Sequence, residues 1–86
     1  MSFALRAGLT WAETEYGGVL LDTVDGQYWT LNVTGARVLA GLLAGAEPDE
    51  VVTRLTAEFD GDAAEVAGDV PTLVAELEAA ELVVRR

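Results

Sequence analysis

Fifteen carboxylates and five arginines are the only side chains of this 86-residue chain that carry charge at neutral pH, and neither histidine nor cysteine occurs. The commonest general base, the commonest zinc ligand and every thiolate are therefore missing, which closes most routes to catalysis and to transition-metal binding. Ser2 is the single serine, so no carrier-protein attachment serine in an Asp-Ser-Leu-like motif is present. Asp60-Gly61-Asp62 opens like a calcium loop but lacks the later ligands and the terminal glutamate at loop spacing, and reads as a turn between helices. Glu76, Glu78 and Glu81 have no nucleophile, general acid or metal partner near them in sequence and read as a solvated face. Asn32-Val33-Thr34 matches a glycosylation acceptor, but Asn32 is better placed to cap a helix. Recognition is what remains. Tyr28 and Trp29 are adjacent in an extended segment, so one ring can enter the core while the other stays near the surface.

The formal net charge is −10. Through Gly45 four acids face Arg6 and Arg37, whereas from Ala46 onward eleven face Arg54, Arg85 and Arg86, so the acidity belongs to the C-terminal half. Such a surface repels phosphate backbones, because nucleic-acid binding depends on cations displacing counterions. That weighs against reading the second and third helices as a DNA-binding helix-turn-helix, and favours a basic or neutral partner. A chain of this length with 51% hydrophobic residues suits one domain, residues 1–86. Its shallow core should bury roughly 60% of the surface that the unfolded chain exposes. No apolar run approaches the roughly 20 residues of a membrane span. The N-terminus also lacks a basic region followed by a signal-type core. The expectation is a soluble, cytoplasmic protein that is not an enzyme and takes no cofactor and no metal.

Positioning Tyr28 and Trp29 falls to a hairpin. Val19 to Thr23 reads as a strand, and Asp25-Gly26 as a two-residue turn whose backbone needs positive φ. With that turn Val24 opposes Gln27, Thr23 opposes Tyr28, Asp22 opposes Trp29, Leu21 opposes Thr30 and Leu20 opposes Leu31. Alternation puts Leu20, Trp29 and Leu31 on one face and Val19, Leu21, Tyr28 and Thr30 on the other. Ahead of the hairpin, Ala4 to Thr14 fits a short strand or an irregular arm laid across the sheet. Asn32 caps a helix from Val33 to about Ala44 that Gly45 stops, with Ala36, Val38, Leu39, Leu42 and Leu43 on its apolar stripe. Pro48, Asp49 and Glu50 suit the start of a second helix, which buries Val51, Val52, Leu55 and Phe59 and ends near Asp60-Gly61. Asp62 can cap a third, running to about Ala80 on Val66, Val70, Leu73, Leu77 and Ala80. Pro71 either kinks it near Gly68 or makes it start afresh around Asp69, and one kinked helix is the preferred reading. Leu82 to Arg85 reads as a terminal strand or extended cap.

The run VLLDTVDGQYWTLN, continuing into TGARVLAGLLAG, an acidic second helix and a third helix ending AELEAAELV, resembles the PqqD-like family of precursor-peptide recognition elements. More narrowly it is similar to the stand-alone leader-binding proteins of lasso-peptide biosynthesis. The similarity spans Leu20 to Val83 and is most specific over Gly26 to Asn32. It implies an α+β, winged-helix-like fold in which a three-stranded antiparallel N-terminal sheet precedes three helices, without enzymatic activity. It also implies a partner, the leader segment of a ribosomally synthesised precursor peptide. The leader is added as a strand beside the third strand and against the third helix, then presented to a separate leader peptidase and a cyclase. Carried onto this chain, the strand is Gln27, Tyr28, Trp29, Thr30 and Leu31, and the helix face is Val66, Asp69, Val70, Leu73, Val74 and Leu77. Pro71 departs from the family pattern.

In that reading Tyr28 to Leu31 supply backbone hydrogen bonds, while Val66, Val70, Leu73 and Val74 form apolar pockets. Glu65, Asp69 and Glu76 attract basic leader residues and quicken encounter more than they deepen affinity. The alternative is an acidic winged-helix-like protein–protein adaptor or regulator with no part in peptide maturation. The leader-binding reading requires that one side of the Gln27 to Leu31 backbone be free of intramolecular pairing and lie next to an apolar helix.

Overall fold

The computed structural model describes residues 3–58 and 63–85, with side chains over 3–57 and 68–85. Strands β1 (Phe3–Leu5), β2 (Leu9–Thr14), β3 (Gly17–Asp22) and β4 (Tyr28–Leu31) come first. Helices α1 (Val33–Leu43), α2 (Pro48–Glu58) and α3 (Ala63–Ala79) follow, and β5 (Val83–Arg85) closes the order. β2, β3 and β4 form an antiparallel sheet in that order, so the fold is α+β with the expected three-stranded sheet and three helices. The N-terminal arm does more than expected. It divides into two strands, and β1 leaves the main sheet to pair antiparallel with β5, Phe3 opposite Arg85 and Leu5 opposite Val83. The Arg85 guanidinium lies 4.7 Å from the Phe3 ring centroid, so a cation–π contact fastens this clasp. No helix among the described residues is long and apolar enough to cross a membrane.

The hairpin takes a different register from the expected one. Gly18 opposes Leu31, Val19 opposes Thr30, Leu20 opposes Trp29 and Leu21 opposes Tyr28, so the connection is Thr23 to Gly26 and not the Asp25-Gly26 pair alone. Asp22 is the cause. Its Oδ1 accepts from the backbone N–H of Val24 at 2.9 Å and of Asp25 at 3.3 Å. Its carbonyl accepts from Gly26 N–H at 2.9 Å, and its own N–H donates to the Gln27 carbonyl at 2.8 Å. A side chain that satisfies the loop amides stabilises the longer connection, and Gly26 at φ 81° turns the chain back. Each strand keeps its faces, because the slip is an even one and the pleat has period two. Leu20 is fully buried, Trp29 and Leu31 pack against the core, and Leu21 and Tyr28 stay exposed on the other face.

Asn32 caps α1, its Oδ1 accepting from Gly35 N–H at 2.8 Å. The helix ends in a Schellman motif, Ala46 N–H reaching the Gly41 carbonyl and Gly45 N–H reaching that of Leu42. α2 buries Val51 and Leu55, whereas Phe59 and the expected Asp60-Gly61-Asp62 turn and cap lie outside the described residues. α3 runs as one element through Pro71, which is exposed, and Thr72 Oγ1 donates to the Gly68 carbonyl at 3.1 Å. Its end repeats the Schellman pattern, Leu82 N–H to Leu77 and Glu81 N–H to Glu78, but with Glu81 at φ 59° where glycine is usual. Ala80 lies beyond this helix and is exposed. One core joins Leu20 of β3, Val38, Leu39 and Leu42 of α1, Val51 and Leu55 of α2, Val70, Val74 and Leu77 of α3, and Phe3 and Val83 of the clasp. Burying each such side chain contributes about 1.5–3 kcal/mol.

Candidate functional site

β4 hydrogen-bonds to β3 alone among the described residues, so its other side is open. The bond from Asp22 N–H to the Gln27 carbonyl sets the phase of the ladder. Alternation along an antiparallel pair then turns the backbone groups of Trp29 and Leu31 towards β3, and those of Tyr28 and Thr30 outward. The N-terminal arm does not cover this edge, because β2 pairs with the far side of β3 and β1 with β5.

Where β4 runs into α1, a cavity of about 380 Å³ opens against α3. Leu31, Val38, Val70 and Leu73 give it apolar walls, and Thr30, Asn32, Thr34 and Asp69 give it polar ones. Gly35 lets the first turn of α1 close on the end of the strand. A Cβ there would stand 3.2 Å from Asn32 Oδ1 and 3.4 Å from Leu31 Cβ. A second hollow, of about 370 Å³, lies at the start of the strand along Gly26, Gln27, Tyr28 and Trp29. A larger one of about 490 Å³ is lined by Glu13, Glu15 and Arg37 among others and touches neither β4 nor α3.

Thr30, Leu31, Asp69, Val70 and Leu73 thus converge on one cavity, and Gln27, Tyr28 and Trp29 border the next. Tyr28 is 68% exposed, whereas Trp29 leans on the core, so the adjacent rings divide between surface and interior. Val74 and Leu77 do not line the cavity. At 4% and 3% exposed they belong to the core. Glu76 is exposed and outside the lining, and the side chains of Glu65 and Val66 lie outside the described residues. Asn32, which caps α1, and Thr34, Gly35 and Val38 within it are not among the site residues expected from the sequence. The signal for them is the single residue, Asn32, that separates strand from helix.

Asp22 anchors the loop from which β4 starts. Its carboxyl is held below the ordinary value of 3.8, first by the Val24 N–H, with the Asp25 N–H and the Arg6 guanidinium at 3.1 Å adding to this and burial opposing it. Among the described residues no group of three or more His, Cys, Asp and Glu could hold a metal ion.

The sequence profile of the family described as "Coenzyme PQQ synthesis protein D (PqqD)" matches residues 17–83. The chain belongs to the PqqD family. The PqqD match begins with β3 and ends in β5, and so takes in the open edge, the cavity and all three helices. One solved structure, "Lasso peptide synthetase B1 complexed with the leader peptide", is 35% identical with a TM-score of 0.86, over 99% of this chain and 100% of that one. Another, "TbiB1 in Complex with the TbiA(beta) Leader Peptide", is 27% identical with a TM-score of 0.82, over 100% of this chain and 98% of that one. Among curated proteins none matches this PqqD-family chain.

Proposed function

We propose that this protein binds the leader segment of a ribosomally synthesised precursor peptide in lasso-peptide biosynthesis. The leader adds as a strand to the open side of β4 beside α3 and is presented to a leader peptidase and a cyclase that are separate proteins. The observation that carries this reading is the outward-facing backbone of Tyr28 and Thr30 ending on the apolar cavity, in a fold shared with two proteins solved with leader peptides bound. Main-chain pairing supplies affinity that depends little on sequence, and the cavity supplies selectivity. The protein performs no chemistry of its own. By holding the leader it raises the effective concentration of the attached core peptide at the processing enzymes.

Titrating a fluorescently labelled leader, taken from the precursor encoded beside this gene, should give saturable binding on the order of tens of micromolar or tighter. Thr30→Pro removes an outward N–H at an edge position and spares the pairing with β3. Leu73→Asp places a charge in the apolar wall. Both should abolish binding while circular dichroism stays native-like. Binding unchanged by either would remove the β4 edge and α3 from the site.

A further inference from the structure

One side chain of a strand added to β4 must enter the cavity, and we infer that it is a basic one, selected by Asp69. This rests on strand addition and deepens it by naming the chemistry of the guest residue. Side chains of an added strand alternate, and those on the face of Trp29 and Leu31 turn towards the helices. Leu31, Val38, Val70 and Leu73 offer a surface for methylene groups and nothing for a polar tip. Asp69 shares the lining with Leu73, one turn along α3, and is exposed to solvent.

Among the described residues no hydrogen bond or ion pair engages the Asp69 carboxylate. Arg6 lies 3.1 Å from Asp22, Arg54 lies 3.8 Å from Glu50, and Arg85 lies 3.6 Å from Glu78. Arg37 lines hollows that Asp69 does not share. Asn32, across the cavity, already spends its Oδ1 on the Gly35 amide. An aliphatic guest would fill the apolar walls but strip water from Asp69 and return no hydrogen bond. An acidic guest would add repulsion. Lysine or arginine lays its stem along Leu31, Val70 and Leu73 and brings its cation to the carboxylate. The net charge of −10 draws basic peptides from a distance, and Asp69 decides which of their residues comes to rest here, which fixes the register of the added strand.

The test is a selection of mRNA-displayed random peptides on four proteins of native-like circular dichroism: wild type, Asp69→Asn, Asp69→Arg and Thr30→Pro. Wild type should enrich lysine or arginine at one fixed place in an alternating apolar pattern. Asp69→Asn should keep the pattern and lose that enrichment, and Asp69→Arg should exchange it for aspartate or glutamate. A selected peptide resynthesised with norleucine at that place should bind wild type about 3- to 10-fold more weakly, and Asp69→Asn about equally. If Asp69→Asn retains the basic residue at the same place, the assignment to Asp69 is overturned while strand addition stands. If Thr30→Pro recovers the same peptides as wild type, strand addition itself is overturned and the assignment with it.

Discussion

Gly18 and Trp11 occupy one space. A Cβ on Gly18 would fall inside the Trp11 indole, which lies across β3 and packs against the core. Gly18→Val should therefore lower stability by about 1–3 kcal/mol in urea unfolding, the usual range for overfilling a packed site. Since Gly18 opposes Leu31, the same change should loosen the strand end that walls the cavity. Asp22 makes a different prediction. Its folded-state carboxyl is held below 3.8, so the stability it contributes is in full force above that value and is lost as the pH falls through the lower, folded one. Melting temperatures followed from about pH 6 to about pH 3 should fall more steeply at the acid end for wild type than for Asp22→Asn. Asp22 is also where a reading from sequence misses the hairpin. Asp25-Gly26 announces a tight turn, but nothing local says that the carboxylate before it will satisfy two loop amides and lengthen the connection.

At the scale of elements, Glu81 sits in the left-handed region at φ 59°, two residues past Ala79, as the turning residue of the Schellman motif that ends α3. A side chain with a Cβ is strained there and glycine is not. Glu81→Gly should raise stability by about 0.5–1 kcal/mol, seen as a thermal midpoint higher by a few degrees. α1 is legible in the sequence because cap, stripe and stop agree: Asn32 holds the Gly35 amide, Leu39 and Leu42 are buried, and Gly45 closes the helix. Of the β1–β5 clasp only β5 is: Leu82 to Arg85 reads as a terminal strand or extended cap, but nothing local says that its partner is β1 at the opposite end of the chain. α3 is legible as an amphipathic helix, but Val70, Leu73, Val74 and Leu77 share one spacing. Spacing alone does not separate the residues that line the cavity from those that face only the core.

For the molecule as a whole, the excess of ten negative charges sets two responses to salt of opposite sign. Raising the ionic strength from about 0.01 M to about 0.15 M shortens the screening length from about 30 Å to about 8 Å and weakens self-repulsion, so the thermal midpoint should rise. The same change should weaken the binding of a basic peptide, measured by anisotropy. A stability and an affinity that moved together would argue against charge as the common cause.

The unpaired side of β4 also exposes the protein to its own copies, since two such edges can zip together as readily as one can take a guest. The strand is only four residues long, and copies that each carry −10 repel one another. Near the isoelectric pH of about 4.1 the second safeguard vanishes, and the protein should drift into dimers and then precipitate. A saturating peptide, by sealing the edge, should keep it monomeric in light scattering under conditions where the free protein self-associates.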